Sequence, residues 1–362
     1  MASLANATFT VRALTPIWTG DAGQHCSQRM LETAIIGSLR WWLEACGRSV
    51  GMDVPDPGDV KPYDPKKRLG LDPVSRIFGA TGWRRRFRLS IESDIRNRQE
   101  IPKSIRIKAD SHRDPRGGKT PIEYSEWRFG KAEGGKAFAW HQEFRIQILQ
   151  TAPWIPKYDG TSIDLIKDLL LFISRAGTLG PKPQLGLGVI DFEHRDSGVL
   201  LSWLKTNSGQ KASGELPSIS DMIFGSVRCD AKEVDERRES FWGRTTFKAK
   251  AELRTAFRDA PGSNEDFRHQ LLGTTKPKPV RSKVAISLPF ESPNGWNLRY
   301  WAWLPPSLRK SYPFVGTPPN RLEQVITSHF SESAVADTLP HSKPLELIQH
   351  YLSPSFLSEV DR

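Results

Sequence analysis

The chain has 362 residues, with 52 lysines and arginines against 41 acids and a formal charge of +11. That length allows about two domains with a sizeable core, and the charge points to an anionic partner, nucleic acid before a membrane surface. No run of about 18 uncharged apolar residues is present, so no membrane span is expected, and residues 1–10 lack the basic start and apolar run of a signal peptide. Cys26, Cys46 and Cys229 are odd in number and widely spaced. They match neither a disulfide framework nor a zinc pattern, so reduced thiols in a cytoplasmic protein without metal or cofactor are expected.

Residues 8–14 alternate, with Phe9, Val11 and Ala13 to one side and Thr10 and Arg12 to the other, the pattern of a half-buried strand. Turn residues and a polar loop carry the chain to residue 28. The stretch 35–47 then predicts a helix. At 100° per residue, Ile35, Ile36, Leu39, Trp42, Leu43 and Cys46 share one arc about 120° wide, as a core-facing helix should. Trp41 falls on the opposite side, Arg40 and Glu44 lie between, and Gly47 is expected to stop the helix. Two readings of Arg40 and Trp41 stand. In one, Arg40 pairs with Glu44 one turn on and Trp41 packs under a loop or second domain. In the other, a basic, aromatic-rimmed helix meets a polyanion.

Residues 51–73 read as a loop and 73–78 as a short helical turn. Trp83, Arg84 and Arg85 lead into a second strand with Phe87, Leu89 and Ile91 inward and Arg86 and Arg88 outward. From about 94 to 139 the sequence is basic and dotted with Gly, Pro and aromatics, an extended insertion with the character of a hairpin arm. A third strand at 143–149 turns Phe144, Ile146 and Ile148 inward and Arg145 outward, and a helix at 162–176 opens on Ser162. It runs into the glycine-rich loop 177–188, with Arg175 just before it and Lys182 inside it. Glycines at 177, 180, 186 and 188 allow positive φ and a close approach of backbone N–H groups to an anion. The loop follows a helix and precedes a strand, the reverse of the dinucleotide-binding order, and the Walker spacing is absent. An RNA phosphate is the better guest, although glycine-rich turns are also simply turns. A fourth strand follows at 189–192.

Strand, helix, strand, insertion, strand, helix, strand is the split βαβ order, in which two helices cover one sheet face and the other stays open. Arg12, Arg86, Arg88 and Arg145 all fall on the open side, where RNA-recognition modules bind; a merely solvated polar face is the competing reading. Residues 208–220 resemble a linker. Beyond it, 246–253 reads as a strand, a short helix opens at 263 and ends before Gly273, and 276–281 form a basic loop. Strands follow at 284–288 and 298–303, the latter with Leu298, Tyr300 and Ala302 opposite Arg299, Trp301 and Trp303. Helices are expected at 322–330 and 344–352. The fold class is therefore α+β, with two ferredoxin-like (RRM-like) modules: 1–207, carrying the insertion and the glycine loop, and a diverged one at 221–362.

Four stretches together carry a family resemblance: Leu-Thr-Pro-Ile-Trp-Thr-Gly at 14–20, Ile-Ile-Gly-Ser-Leu-Arg-Trp-Trp at 35–42, Ile-Phe-Gly-Ala-Thr-Gly at 77–82, and the loop 177–188. The chain resembles the RAMP superfamily of CRISPR proteins and, more narrowly, the branch that supplies subunit one of type III-B Cmr effector complexes. The second half resembles it more loosely, through Arg281-Ser282-Lys283 and Trp301-Ala302-Trp303. The resemblance implies two ferredoxin-like modules and a place in a multi-subunit effector guided by crRNA. The subunit would sit beside another RAMP subunit at the end that holds the 3′ part of the guide. It would bind guide and target RNA for antiviral defence without being the subunit that cuts. One departure is that the loop carries Pro181, Pro183 and a single lysine, where relatives often have more basic residues.

Some superfamily relatives cleave RNA, so an endoribonuclease is the alternative. Cleavage needs a carboxylate for a metal or a general base such as His. Asp21 and His25, in the loop after the first strand, are the candidates, and His141 stands before the third strand with no partner nearby in sequence. For binding, Arg40, Arg84, Arg85, Arg86, Arg88 and Lys182 are expected on the RNA backbone, with Arg12, Arg145, Arg175 and the four loop glycines alongside. Trp41 and Trp83 are expected to stack on bases, each contact worth about 1–3 kcal/mol.

Overall fold

The computed structural model describes residues 5–19, 29–64, 66, 71–101, 104–108, 124–128, 137–151, 162–229, 246–247, 250–251, 253–254, 265–274, 278–292, 295–311, 343–354 and 356. The expected catalytic candidates Asp21 and His25, the expected helix at 322–330 and most of the 94–139 segment lie outside them.

The first sheet is built from β1 (Asn6–Ile17), β2 (Phe87–Ser93), β3 (Arg98–Ile101), β6 (Ala137–Gln150) and β7 (Ile190–Asp191). Between β3 and β6, β4 (Ser104–Lys108) and β5 (Tyr124–Arg128) pair only with each other, as a two-stranded ribbon. The strand order is β2-β6-β1-β7, with β3 on the N-terminal half of β6, and every pairing is antiparallel. Because β6 opposes both β1 and β2, those two run parallel, and the chain between them needs a crossover. It supplies α1 (Glu32–Ser49) and α2 (Pro73–Phe78). The second crossover is α3 (Ser162–Ala176), between β6 and β7.

The alternation read from the sequence holds in three dimensions. Val11, Ala13, Phe87, Leu89, Phe144, Ile146 and Ile148 are buried, while Thr10, Arg12, Arg88 and Arg145 are exposed on the opposite face. On α1, all six residues of the apolar arc are buried. Gly47 does not stop the helix as expected. A Cβ there would stand 3.0 Å from Met52 Sδ, so Gly47 serves close packing inside the last turn. The chain turns instead at Gly51, with φ +75°. Glu44 and Arg48, 2% and 3% exposed at their side chains, form an ion pair inside the helix–loop junction.

After β7 a helix that the sequence reading did not anticipate, α4 (Val199–Thr206), packs on α3. Asp168 of α3 caps its start. The buried carboxylate accepts hydrogen bonds from the Ser197 amide and hydroxyl and from the Leu200 amide. The expected linker is a fastened strap: the amides of Gly209 and Lys211 donate to the carbonyls of Val50 and Gly51.

The second sheet contains β8 (Met222–Cys229), β9 (Val284–Ile286), β10 (Phe290–Ser292) and β11 (Gly295–Trp303). β11 lies centrally, with β8 on one side and β9 and β10 on the other, all antiparallel to it. Residues 246–247, 250–251 and 253–254 are helical rather than extended as expected. Phe247, Lys250 and Arg254 recur at three- and four-residue intervals, which suits a helix. α5 (Glu265–Leu272) buries Phe267 and Leu271 against Ile223, Val227, Leu298 and Tyr300 on one face of this sheet. Gly273, at φ +76°, ends it. A short α6 (Pro306–Ser311) follows β11, and α7 (Pro344–Leu352) packs on α3.

The other face of the second sheet meets the first half. Phe224 of β8 and Trp301 of β11 pack against Trp42 of α1, at ring-centroid distances of 6.2 and 5.6 Å, and Phe224 also meets Phe172 of α3. One hydrophobic cluster runs from the first sheet through α1 and α3 to the second sheet and α7. The two helices are thus covered on both sides, which explains why α3 is buried nearly all round.

Candidate nucleic-acid interface

A cleft of about 540 Å³ opens where α1, the glycine loop and the second half meet. From α1 come Gly37, Ser38 and Trp41, and from the loop come Gly180, Lys182 and Gln184. The second half contributes Arg281, Lys283, Trp301 and Trp303. Stretches some 140 and 240 positions apart in sequence thus converge on one wall system. Every ionisable residue that lines it, among the described residues, is cationic.

Trp41 lies on the side of α1 opposite the first core. Its ring is 5.6 Å from that of Trp301, tilted by 42°, and 4.8 Å from Trp42 in an edge-on contact. Trp301 of the second half covers it in part, in keeping with the plainer reading. Trp301 is buried and donates its indole N–H to the Thr178 hydroxyl at 3.3 Å, while Trp41 and Trp303 stay partly open. Lys182 adopts a left-handed backbone, φ +66°, and carries its ammonium over the Trp18 ring at 3.8 Å. Burial pulls its pKa down to about 8. Lys283 sits 5.6 Å from the Trp303 ring centroid and donates to the Gln270 carbonyl; burial lowers its pKa too. Arg281 is exposed at the rim, with no ion pair among the described residues.

Three of the four loop glycines do something other than cradle an anion; Gly180 lines the cleft. The amides of Gly177, Gly186 and Gly188 donate to the carbonyls of Ile173, Pro183 and Pro16. Each amide has one hydrogen, so these three N–H groups are already committed. What the glycines supply is room. A Cβ at Gly177 would lie 2.5 Å from the Trp42 ring, and one at Gly186 would lie 2.8 Å from the Leu288 amide of the second half. The loop is a seam between halves: Leu288 donates to the Gly186 carbonyl, and the Arg299 guanidinium reaches the Gly177 carbonyl at 3.3 Å. Burial brings the Arg299 pKa down to about 10.

Two arginines expected on RNA are fastened inside the protein. Arg40 donates to Glu44 at 2.7 Å, to the Gly79 carbonyl at 2.8 Å and to the Ser75 hydroxyl at 3.0 Å, clamping α1 to α2. Arg175 donates to the carbonyls of Tyr351 and Ser353 at 2.7 and 2.8 Å, capping α7 rather than serving the loop. Around residue 83 the picture is similar. Trp83 donates to the Arg76 carbonyl, meets Tyr63 edge-on at 4.9 Å, and has the Arg86 guanidinium 4.7 Å from its ring centroid. Arg86 therefore precedes β2 and leaves the sheet face where the alternation put it. Arg85 donates to the Phe87 carbonyl, while Arg84 and Arg88 remain exposed.

The open face of the first sheet carries Arg12, Arg88 and Arg145, but also Glu92, Glu143 and Asp191. Arg12 pairs with Asp191 at 2.6 Å, and Arg145 stands 4.0 Å from Glu92. Strand-by-strand reading registered the arginines; the acids on neighbouring strands became visible only with the register. Burial lowers the pKa of His141, at the irregularity between β1 and β6. Among the described residues, no group of three or more His, Cys, Asp or Glu side chains is arranged to hold a metal ion, and no helix is long and apolar enough to cross a membrane.

Antiparallel sheets with helices packed between them define a mixed α+β protein. Residues 10–191 match the family model of the RAMP superfamily, and the chain belongs to that superfamily. No curated protein sequence matches significantly. Among solved structures the chain is similar to Cmr1 from Pyrococcus furiosus in its apo form, at 13% identity and a TM-score of 0.41 over 97% of both chains. It is also similar to a chain of the type III-B Cmr-β complex bound to cognate target RNA and AMPPnP in the presence of ssDNA. There the identity is 12% and the TM-score 0.40, covering 97% of this chain and all of the other.

Proposed function

We propose that this chain is a non-catalytic, RNA-binding subunit of a type III-B CRISPR RNA-guided (Cmr) effector complex in the cytoplasm. It would hold the 3′ region of the crRNA, target RNA, or both, beside other RAMP subunits. Membership of the superfamily and the Gly-Ser-Leu-Arg-Trp-Trp motif of α1 support this reading. The observation that carries it is the cleft, which Lys182, Arg281 and Lys283 line together with four tryptophans and no acidic residue among the described residues. Cations bind phosphates without regard to sequence, and indoles stack on any base. That combination suits a protein that leaves target choice to guide pairing.

We also infer two ferredoxin-like modules, 1–207 and 221–362, with the 94–139 segment inserted in the first. The β2-β6-β1-β7 order is that of a split βαβ sheet, and β8, α5, β9 and β11 repeat its first three strands and first crossover. Their shared core implies that the modules fold together rather than separately.

Labelled single-stranded RNA incubated with the purified protein, with and without divalent metal, tests the function. Retarded, intact RNA is the expected result. Shortened product that disappears in Asp21→Ala or His25→Ala would overturn it in favour of the endoribonuclease. Guide RNA and RAMP subunits are expected to co-purify from the native cells.

A further inference from the structure

Independently of any RNA contact, we propose that the outer edge of β2 pairs antiparallel with the same edge of a second copy of this chain, about a two-fold axis at Ser90. The edge itself comes first. β2 ends the strand order of the first sheet, and among the described residues no strand pairs with its outer side. The ladder to β6 shows which backbone groups point there. The Thr151 amide donates to the Arg86 carbonyl, while the amide of Gln150, opposite Phe87, donates away from β2 to Ala5. Antiparallel pairs alternate between bonded and unbonded. Arg88, Ser90 and Glu92 therefore bond to β6, and Phe87, Leu89 and Ile91 turn their N–H and C=O groups outward. The Arg85 guanidinium takes the Phe87 carbonyl at 2.8 Å and closes that end of the edge. The outward groups of Leu89 and Ile91 have no partner among the described residues, and such a row is a template for another strand.

The sequence of that edge is complementary to itself. Antiparallel pairing about Ser90 sets Leu89 against Ile91 of the second copy, the register in which the outward groups of both strands bond each other. It also sets Arg88 against Glu92 of the second copy, and the symmetry repeats the pair. Both side chains are exposed on the open sheet face. Arg88 has no ion pair among the described residues, and Glu92 has the loose 4.0 Å contact with Arg145. Opposite charges directly across a strand pair attract and like charges repel. An in-register parallel pairing would oppose Arg88 to Arg88 and Glu92 to Glu92, so the charges select the antiparallel arrangement. On the other face Ile91 is only partly buried at the margin of the core, where Leu89 of the second copy would cover it. Ser90, at the axis, is small enough to let the strands close. The contact is short, residues 88–92 of each copy against the roughly 20–30 residues a side of a stable interface, so the dimer is a weak one.

Sedimentation velocity on the nuclease-treated full chain tests this, from about 1 to 300 μM at about 0.1 M salt. Monomer is expected to give way to dimer across that range, and the dimer to fade at about 0.5 M salt, where the ion pairs are screened. Arg88→Glu and Glu92→Arg should each weaken self-association roughly tenfold or more, because each turns an attraction into a repulsion twice over. An equimolar mixture of these two variants restores opposite charges at both positions and should dimerise as the wild type does. Ile91→Pro removes an outward N–H without touching the ladder to β6. It should abolish the dimer while circular dichroism and the melting temperature show the fold intact. A wild-type chain that stays monomeric to about 300 μM would overturn the proposal and make the edge charges guards against strand addition. A dimer indifferent to the charge reversals, or a mixture that fails to dimerise where the wild type does, would overturn it as well.

Discussion

The indole N–H of Trp42 donates to the carbonyl of Thr178 at 2.8 Å, a buried bond spanning 136 positions that ties the opening helix to the glycine loop. Gly177 is adjacent to that bond, and its missing Cβ is what lets the ring lie against the backbone. Trp42→Phe should leave the Thr178 carbonyl without this donor and shrink a ring at the centre of the shared core. The expected loss is about 2–3 kcal/mol. Gly177→Ala should cost about 1–3 kcal/mol or more, because the added methyl meets a ring that the surrounding core holds in place. Urea unfolding monitored by circular dichroism measures both. Since the bond joins elements that also face the second half, the two variants should lower a single cooperative transition rather than split it.

The pair Arg40–Glu44 makes the second expected outcome. Glu44 is almost fully buried, and burial pushes its carboxyl up against the pull of Arg40 and Arg48. Arg40→Ala would remove one of two cations from a buried carboxylate and also free the Ser75 and Gly79 acceptors, costing about 3 kcal/mol. Arg88→Ala, on the exposed face, should leave the unfolding midpoint within about 0.5 kcal/mol of wild type. If the Arg40 variant proved as stable as the Arg88 variant, the clamp assigned to Arg40 would be wrong.

These contrasts show which parts of the protein are readable from sequence. The apolar arc of α1 and the alternation in β1, β2, β6 and β11 were legible because burial imposes a period on the residues themselves. Trp301 and Trp303 were correctly placed on one face of a strand for the same reason. The cleft was not legible as a unit, since its parts lie far apart and nothing local says that 37–41, 180–184 and 281–303 meet. α4 escaped because Asp168, 29 positions before Ser197, supplies its cap. The packing role of Gly177 and Gly186 was not legible in the glycine loop, because positive φ serves a close-packed seam as well as a phosphate cradle. Only the destinations of its N–H groups distinguish the two.

Lys182 gives a pH signature. Its pKa, pulled from 10.5 to about 8 by burial, means that the folded protein holds fewer protons there than the unfolded chain between those two values. By linkage, the Lys182 contribution to stability therefore rises with pH across that window. Ligand binding runs the other way, because a phosphate needs the charged ammonium. RNA affinity should fall as pH rises through about 8, where an ordinary surface lysine would hold its charge for two units more. Fluorescence anisotropy at fixed ionic strength measures it, with Lys182→Arg as control. Arginine stays charged, so the fall should vanish in that variant. A fall of equal size in both proteins would remove Lys182 from the interface.

The balanced charge of the open sheet face leads to the remaining outcome. Arg145 lies 4.0 Å from Glu92, with both side chains about two-thirds exposed, so water screens the pair and it holds its partners loosely. If RNA crosses this face, the carboxylates of Glu92, Glu143 and Asp191 repel it as the arginines attract it. Glu92→Gln should then raise affinity at low salt by up to about fivefold, the scale of an exposed ion pair, and the gain should fade near 0.5 M salt, where the screening length is only about 4 Å. Arg88→Ala, which removes an exposed cation, should weaken binding and lower the slope of log affinity against log salt by about 0.7, one single-strand phosphate contact. Arg12→Ala should do less, because Arg12 already spends its charge on Asp191. Titrations at several salt concentrations separate these cases. A flat response to Glu92→Gln and Arg88→Ala, with a steep response to Arg281→Gln, would assign the polynucleotide to the cleft and leave the sheet face to other contacts.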